Sequence, residues 1–239
     1  MLFLLLGLLL AAPFSWGASG GAELLWERTL SGRIAVRYSV AFSGDGKYLF
    51  VDTRDSSNYS RGVLYCFDAE SGEVLWRAAY DRGVGPVKKL PLKSGLALSD
   101  ELGYVVVSGY GRAFVFKMSS GEKVFEIPEK PFKGHLLRLY VTGRYLLART
   151  HPSGLLFGDL RDPSKWWMKE KIWIAPLLEP LAVSAEGRAL VLSPAMIKKG
   201  ELVSLGNLTC LSRDGEVLWW VVPFLLCKRV GAERMGGVV

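Results

Sequence analysis

Three cysteines, two histidines, one glycine-rich heptapeptide and two lysine pairs are the residues of this 239-residue chain whose types could do chemistry. Their spacing supports none. Cys66, Cys210 and Cys227 form no CxxC pair and no metal-ligand pattern. His135, in KGHLLRL, and His151, in RTHPSG, each lack a second His, Cys or carboxylate at zinc spacing. His151 reads as a turn residue before Pro152. The segment SGYGRAF, residues 108–114, mimics a phosphate-binding loop, but strands flank it and no helix follows, so it reads as a hairpin. No GxSxG elbow presents a nucleophile. The sequons at Asn58 and Asn207 matter only in a glycosylating host. The residues alone therefore predict no metal, no cofactor and no catalytic set.

The elements that carry these residues repeat. CFDAESGEVLW, residues 66–76, returns as VFKMSSGEKVF and CLSRDGEVLWW. The closing aromatics Trp26, Trp76, Phe125, Trp167 and Trp219 are separated by 50, 49, 42 and 52 residues, which makes four periods. A second marker runs in step: DGKYLFV at Gly46, LGYVVV at Gly103, TGRYLLA at Gly143 and EGRALVL at Gly187. Each reads as strand, tight turn, strand. A third strand such as GVLYCFD, a turn such as AESG and a fourth strand ending at the aromatic complete each period. Helical periodicity is nearly absent. Four short strands per repeat make one propeller blade, so the expected fold is all-β, a propeller of about four four-stranded blades.

The stretch Cys66, Asp68, Ser71, Gly72 and Trp76 resembles the repeat of PQQ-like (quinoprotein-like) β-propellers: a small residue, any, Asp, two of any, Thr, Gly, three of any, Trp. Gly121 and Phe125, Asp159 and Trp167, and Gly215 and Trp219 are what survives of it in the other copies. VAFSGDGKYLFV also looks like the first hairpin of WD-type and YVTN-type repeats. The resemblance covers roughly residues 23 to 222. In physical terms the Gly permits the turn, the Asp can accept backbone N–H bonds that brace it, and the aromatic offers a flat surface to the next blade. The nine Asp, Gly and aromatic positions, Asp68, Gly72, Trp76, Gly121, Phe125, Asp159, Trp167, Gly215 and Trp219, are expected to be framework.

Quinoprotein dehydrogenases of this resemblance hold a quinone and calcium in a larger, eight-bladed domain, often beside adjacent cysteines. This chain has no adjacent cysteines and no spare acidic cluster on inner strands. A degenerate or fragmentary member of such an enzyme is the alternative reading. Four blades also stand at the low end for closure, and the expectation is a truncated member of a longer family.

Residues 1–22 open with an apolar run from Leu2 to Ala12 followed by small residues, the pattern of a secretory signal peptide, although no Lys or Arg precedes Arg28. The run is short for a membrane span. Export is expected, with cleavage after Gly17 or Ala22, and membrane contact only if this segment stays uncleaved. Residues 23–222 are then the propeller and 223–239 a tail or the start of a further blade. The net charge of +7 is scattered singly or in pairs without an aromatic-interleaved run, so no nucleic-acid partner is expected. Loops between second and third strands, DTRDSSNYSRG and SPAMIKKGELVSLGN, are expected to share a face with the blade connection YDRGVGPVKKLPLKSG. That face would gather Arg54, Tyr59, Arg61, Arg82, Lys88, Lys89, Lys198 and Lys199, and loops on rigid scaffolds carry function. The expected role is an extracytoplasmic, non-catalytic scaffold for a protein partner or an anionic cell-surface component. It is similar in kind to the propeller lipoprotein that assists outer-membrane assembly, whose lipid-accepting cysteine is absent here. Open blade edges would also allow a homodimer.

Overall fold

The computed structural model describes residues 24–30, 33–34, 39–54, 60–83, 95–128, 134–151, 154–170, 181–193, 196–198, 201–204 and 207–221. Every regular element among them is a strand. The signal-peptide and tail assignments, residues 1–22 and 223–239, lie outside the described residues.

Blade 1 is built from β1 (Arg33–Ile34), β2 (Val40–Phe42), β3 (Tyr48–Arg54), β4 (Arg61–Asp68) and β5 (Val74–Asp81). Blade 2 comprises β6 (Leu96–Ser99), β7 (Tyr104–Ser108), β8 (Ala113–Lys117) and β9 (Lys123–Ile127). Blade 3 comprises β10 (His135–Thr142), β11 (Tyr145–His151), β12 (Gly154–Asp159) and β13 (Asp162–Glu170). Blade 4 holds β14 (Leu181–Val183) and β15 (Ala189–Ser193), then a two-stranded insertion, β16 (Met196–Lys198) with β17 (Glu201–Ser204), then β18 (Asn207–Leu211) and β19 (Val217–Val221). All pairings are antiparallel and follow chain order within each blade, except that β1 joins the edge of β3 and β18 pairs β15 across the inserted hairpin. The long loop expected after Ser193 is thus partly a hairpin.

The all-β fold of four blades stands, with β1 and β2 sharing one edge of β3 in blade 1, and among the described residues the sheets do not close into a ring. The middle strands of blades 2 and 3 are buried on both faces, because these blades are sandwiched between neighbours, and so they read as continuous apolar runs such as Val105-Val106-Val107. The fourth strands β5 and β9 keep one inward stripe, ending in the buried Tyr80 and Ile127, and alternate it with more exposed residues, whereas β19 is exposed from Val217 to Trp220.

The core lies between blades. Phe50, Leu64, Cys66 and Tyr80 pack on Leu96, Val105, Val107, Phe114 and Phe116. Val106, Val115 and Ile127 pack on Leu136, Leu139, Leu146 and Leu156. Leu147, Leu155 and Phe157 pack on Val183, Ala189, Val191 and Leu211.

Candidate interaction surface and the interblade slots

Three tryptophans, Trp26, Trp76 of β5 and Trp167 of β13, each lay a ring on a turn glycine. Trp76 reaches from β5 to blade 2, where its Nε1 donates to the Met118 carbonyl at 2.8 Å and its ring lies against Gly121. Trp26 does the same to blade 1, with Nε1 donating to the Ala69 carbonyl at 3.0 Å and its ring against Gly72. Trp167 donates to the Arg213 carbonyl at 2.6 Å and lies against Gly215. In each case the accepting carbonyl belongs to the residue just after the first turn residue, Asp68, Lys117 or Ser212. Gly72 and Gly121 hold φ at 67° and 70°, and a Cβ there would fall 2.4 Å and 2.5 Å from the tryptophan ring. Only glycine meets both demands.

The slot turns are braced locally. Asp68 Oδ1 accepts from Ser71 N–H, Ser71 Oγ and Glu70 N–H, and the Ser71 bonds hold its carboxyl below the ordinary Asp range. In blade 4 the Ser212 hydroxyl takes this place, accepting from Asp214 and Glu216 N–H. Asp159 accepts from Arg161 N–H and pairs with Arg144. Blade 3 has no glycine in its turn, Asp159-Leu160-Arg161-Asp162, and the aromatic aimed at it is Phe125, which has no N–H to donate.

Each tryptophan or phenylalanine ends a cross-strand row that faces the following blade. The rows are Ala41–Phe50–Cys66–Trp76, Ala97–Val106–Val115–Phe125 and Tyr140–Leu147–Phe157–Trp167. All three are packed into interblade cores. Blade 4 carries the same row in the same register, Ala182–Leu190–Cys210–Trp219. None of the four belongs to an interblade core among the described residues. Trp219 is 48% exposed and its neighbour Trp220 62%, with Val217 and Leu218 exposed beside them. An apolar face of this kind on an unclosed sheet marks an interaction surface.

The residues expected to share a loop face, seven basic ones and Tyr59, are placed unevenly. Arg61 is exposed at the start of β4. Arg54 ends β3 and Lys198 ends β16, with only their backbone described, while Tyr59, Lys88, Lys89 and Lys199 lie outside the described residues. Arg82 does not face solvent. It is 6% exposed, pairs with the buried Asp52 at 3.2 Å and donates to the Ser108 carbonyl at 3.1 Å. Tyr80 Oη donates to the other Asp52 oxygen at 2.6 Å. Burial opposes the Arg82 charge, but Asp52 and then Tyr80 hold its pKa above the ordinary arginine value. Arg82 therefore clamps blade 1 to blade 2. The signal for it was Asp52, a carboxylate directly after the apolar run YLFV of β3, which needs a cation once buried.

The chemistry-bearing residues are likewise structural. His135 and His151, apparently unrelated in the sequence, are Cα partners across β10 and β11; His151 ends a strand and does not sit in the loop expected for it. The His135 ring meets Tyr110 edge-on at 4.8 Å. Within SGYGRAF, the Gly109, Tyr110 and Gly111 N–H groups donate to the Arg112, Arg82 and Gly134 carbonyls, so these three turn amides are committed to the protein's own backbone. Cys66 and Cys210 are buried free thiols at equivalent register positions, each opposite its fourth-strand tryptophan. Among the described residues no three His, Cys, Asp or Glu side chains lie together to hold a metal.

A family profile described as outer membrane protein assembly factor BamB matches residues 18–222. The chain belongs to this family of PQQ-like β-propellers. The fold of the BamB-like chain is also similar to that of a solved β-propeller domain, Cps50 (Swd1) of Myceliophteria thermophila, at a TM-score of 0.52 and 14% identity. That likeness covers 81% of this chain and 56% of the solved domain, so the chain spans little more than half of that propeller's length. No curated protein sequence matches the chain.

Proposed function

We propose that this BamB-like chain is an extracytoplasmic, non-catalytic scaffold that binds protein through the uncovered face of its fourth blade. The observation that supports this reading is the row Ala182–Leu190–Cys210–Trp219, which repeats the register of three buried rows and on which no blade packs among the described residues. The family's description names an outer-membrane assembly factor, which agrees with a protein partner outside the cytoplasm. The loop residues Arg54, Arg61, Lys88, Lys89, Lys198 and Lys199, with Tyr59 among them, form a second contact region in this proposal, for an acidic partner surface; Arg82 is excluded by its burial.

The test is a photo-crosslinking amino acid placed at position 219 of the tagged full-length chain, followed by cell fractionation. The expected result is a chain in the envelope fraction that forms a protein adduct, with the adduct reduced by charge reversal at Lys88, Lys89, Lys198 and Lys199. A cytoplasmic chain without adducts refutes the scaffold. Thermal stabilisation by calcium or a quinone also refutes it, in favour of an enzyme of the quinoprotein sort.

A further inference from the structure

The open row of blade 4 is complementary to itself, and we propose that the protein bound there is a second copy of this chain, held face to face about a twofold axis that runs along the strands. This rests on the scaffold reading above and names its partner.

Side-chain volume carries the assignment. From first to fourth strand the row is Ala182, Leu190, Cys210, Trp219, alternately small and large. A twofold axis parallel to the strands lays one row on the other in reverse order, as an isologous contact requires. Trp219 then meets the partner's Ala182, and Leu190 meets the partner's Cys210. Every pair sets a large side chain against a small one, which is how facing layers fill the space between two sheets. The row of blade 3, Tyr140–Leu147–Phe157–Trp167, lacks this alternation and would set Trp167 against a tyrosine if turned on itself. Blade 1 has the alternation, but its row is already packed on blade 2. None of the four open residues is charged, so two copies bring no like charges together along the row. Ala182 is exposed, Leu190 half-buried and Trp219 48% exposed, which leaves both ends of the row accessible to a partner.

The other end of the blade series sets the stoichiometry. The face of blade 1 turned away from blade 2, with Leu49, Val51, Tyr65 and Phe67, is packed by Trp26 and Leu30, and the Trp26 ring stacks on Phe67 at 6.0 Å. A second copy therefore presents no bare face of blade 1, and head-to-tail growth is blocked. The contact is isologous and stops at two copies. Four strands about 4.8 Å apart, the longest of five residues at about 3.3 Å each, give the face about 300 Å². A standard interface covers about 800 Å² per partner. The dimer is accordingly weak, and its population follows concentration.

The experiment measures absolute mass by light scattering behind a sizing column, over a range of loading concentrations, for full-length wild type, Trp219→Glu, Ala182→Glu and Trp220→Glu. The expected wild type moves from one chain mass towards two and goes no further. Trp219→Glu and Ala182→Glu each place a carboxylate against the partner's row and stay at one. Trp220→Glu dimerises like wild type, because Trp220 shares a register row with Thr209 and Val191 on the face towards blade 3. Far-UV circular dichroism checks that each variant is folded; if Trp219→Glu is not, Ala182→Glu decides, since its side chain is exposed in the single chain. A wild type that is monomeric at every concentration overturns the proposal, as do growth beyond two copies, dimers that persist in Ala182→Glu, and loss of the dimer in Trp220→Glu. The photo-crosslinker at position 219, used in a mixture of two differently tagged chains, separates this failure from that of the scaffold reading. Adducts carrying both tags support the second copy. Adducts only with another protein overturn the dimer and leave the scaffold standing, and no adduct of either kind removes both.

Discussion

Replacing Gly121 by alanine is the sharpest perturbation of the interblade slots, because one methyl group acts on two blades. At φ 70° an alanine sits in left-handed backbone, a cost of about 1–2 kcal/mol. Its Cβ would fall 2.5 Å from Trp76 Cε3, so the ring must leave. Departure breaks the Trp76 Nε1 bond to the Met118 carbonyl, about 1 kcal/mol. It also exposes the half of the ring that packs on the blade 1–blade 2 core, about 1–2 kcal/mol more. The expected loss is about 3–5 kcal/mol in sum. Trp76→Ala alone loses the bond and the packing, about 2–3 kcal/mol. In that background the methyl group meets no ring, and Gly121→Ala should cost only the backbone strain. The double-mutant cycle therefore carries a coupling of about 2 kcal/mol, well above the ~0.5 kcal/mol of independent sites. Urea melts followed by far-UV circular dichroism measure all four corners, with m compared across them so that a change of unfolding unit is detected. Additivity within that limit would refute the slot, since it would mean that ring and glycine do not meet.

Two further outcomes follow from the buried polar groups. Asp52→Ala leaves the Arg82 guanidinium buried without its carboxylate and should cost about 3–5 kcal/mol, whereas Asp52→Leu with Arg82→Leu should recover most of it; equal melting curves for single and double variants would refute the clamp. Burial, then the nearby Asp68 charge, pushes the Cys66 thiol up to about 12, so it should resist a disulfide reagent at pH 8 until the chain is unfolded. Because the folded value is raised, this group's contribution is complete below the ordinary thiol range and is lost as pH rises from there through about 12. Cys66→Ala should flatten that alkaline loss, as read by urea midpoints across pH.

The fold was legible because its signals are local. Turn glycines such as Gly46 and Gly103 and the alternating runs between them are decided within a few residues, and both hold positive φ in the structure. The slots were legible only in half: Trp76 and Gly121 could be named as framework, but the ring of one covering the turn of the other lies 45 residues away in the chain and on the next blade. Arg82 was misplaced for a related reason. A cation next to a flexible connection reads as solvated, and its partner, Asp52, stands 30 residues earlier inside an apolar strand. The two histidines appear unrelated until β10 and β11 bring His135 opposite His151. The open face adds a further step, since nothing in CLSRDGEVLWW distinguishes a docked tryptophan from an undocked one. Cys210 and Trp219 match Cys66 and Trp76 residue for residue, and only the packing of the following sheet tells them apart. That identity makes the surface interpretable. A row selected only by solvent would not keep an apolar register across four strands, while a row that must accept another sheet has to keep it. Trp219 thus has the features of a buried residue in an exposed place, and a protein partner bound there, as the scaffold reading requires, would complete the burial that its register calls for.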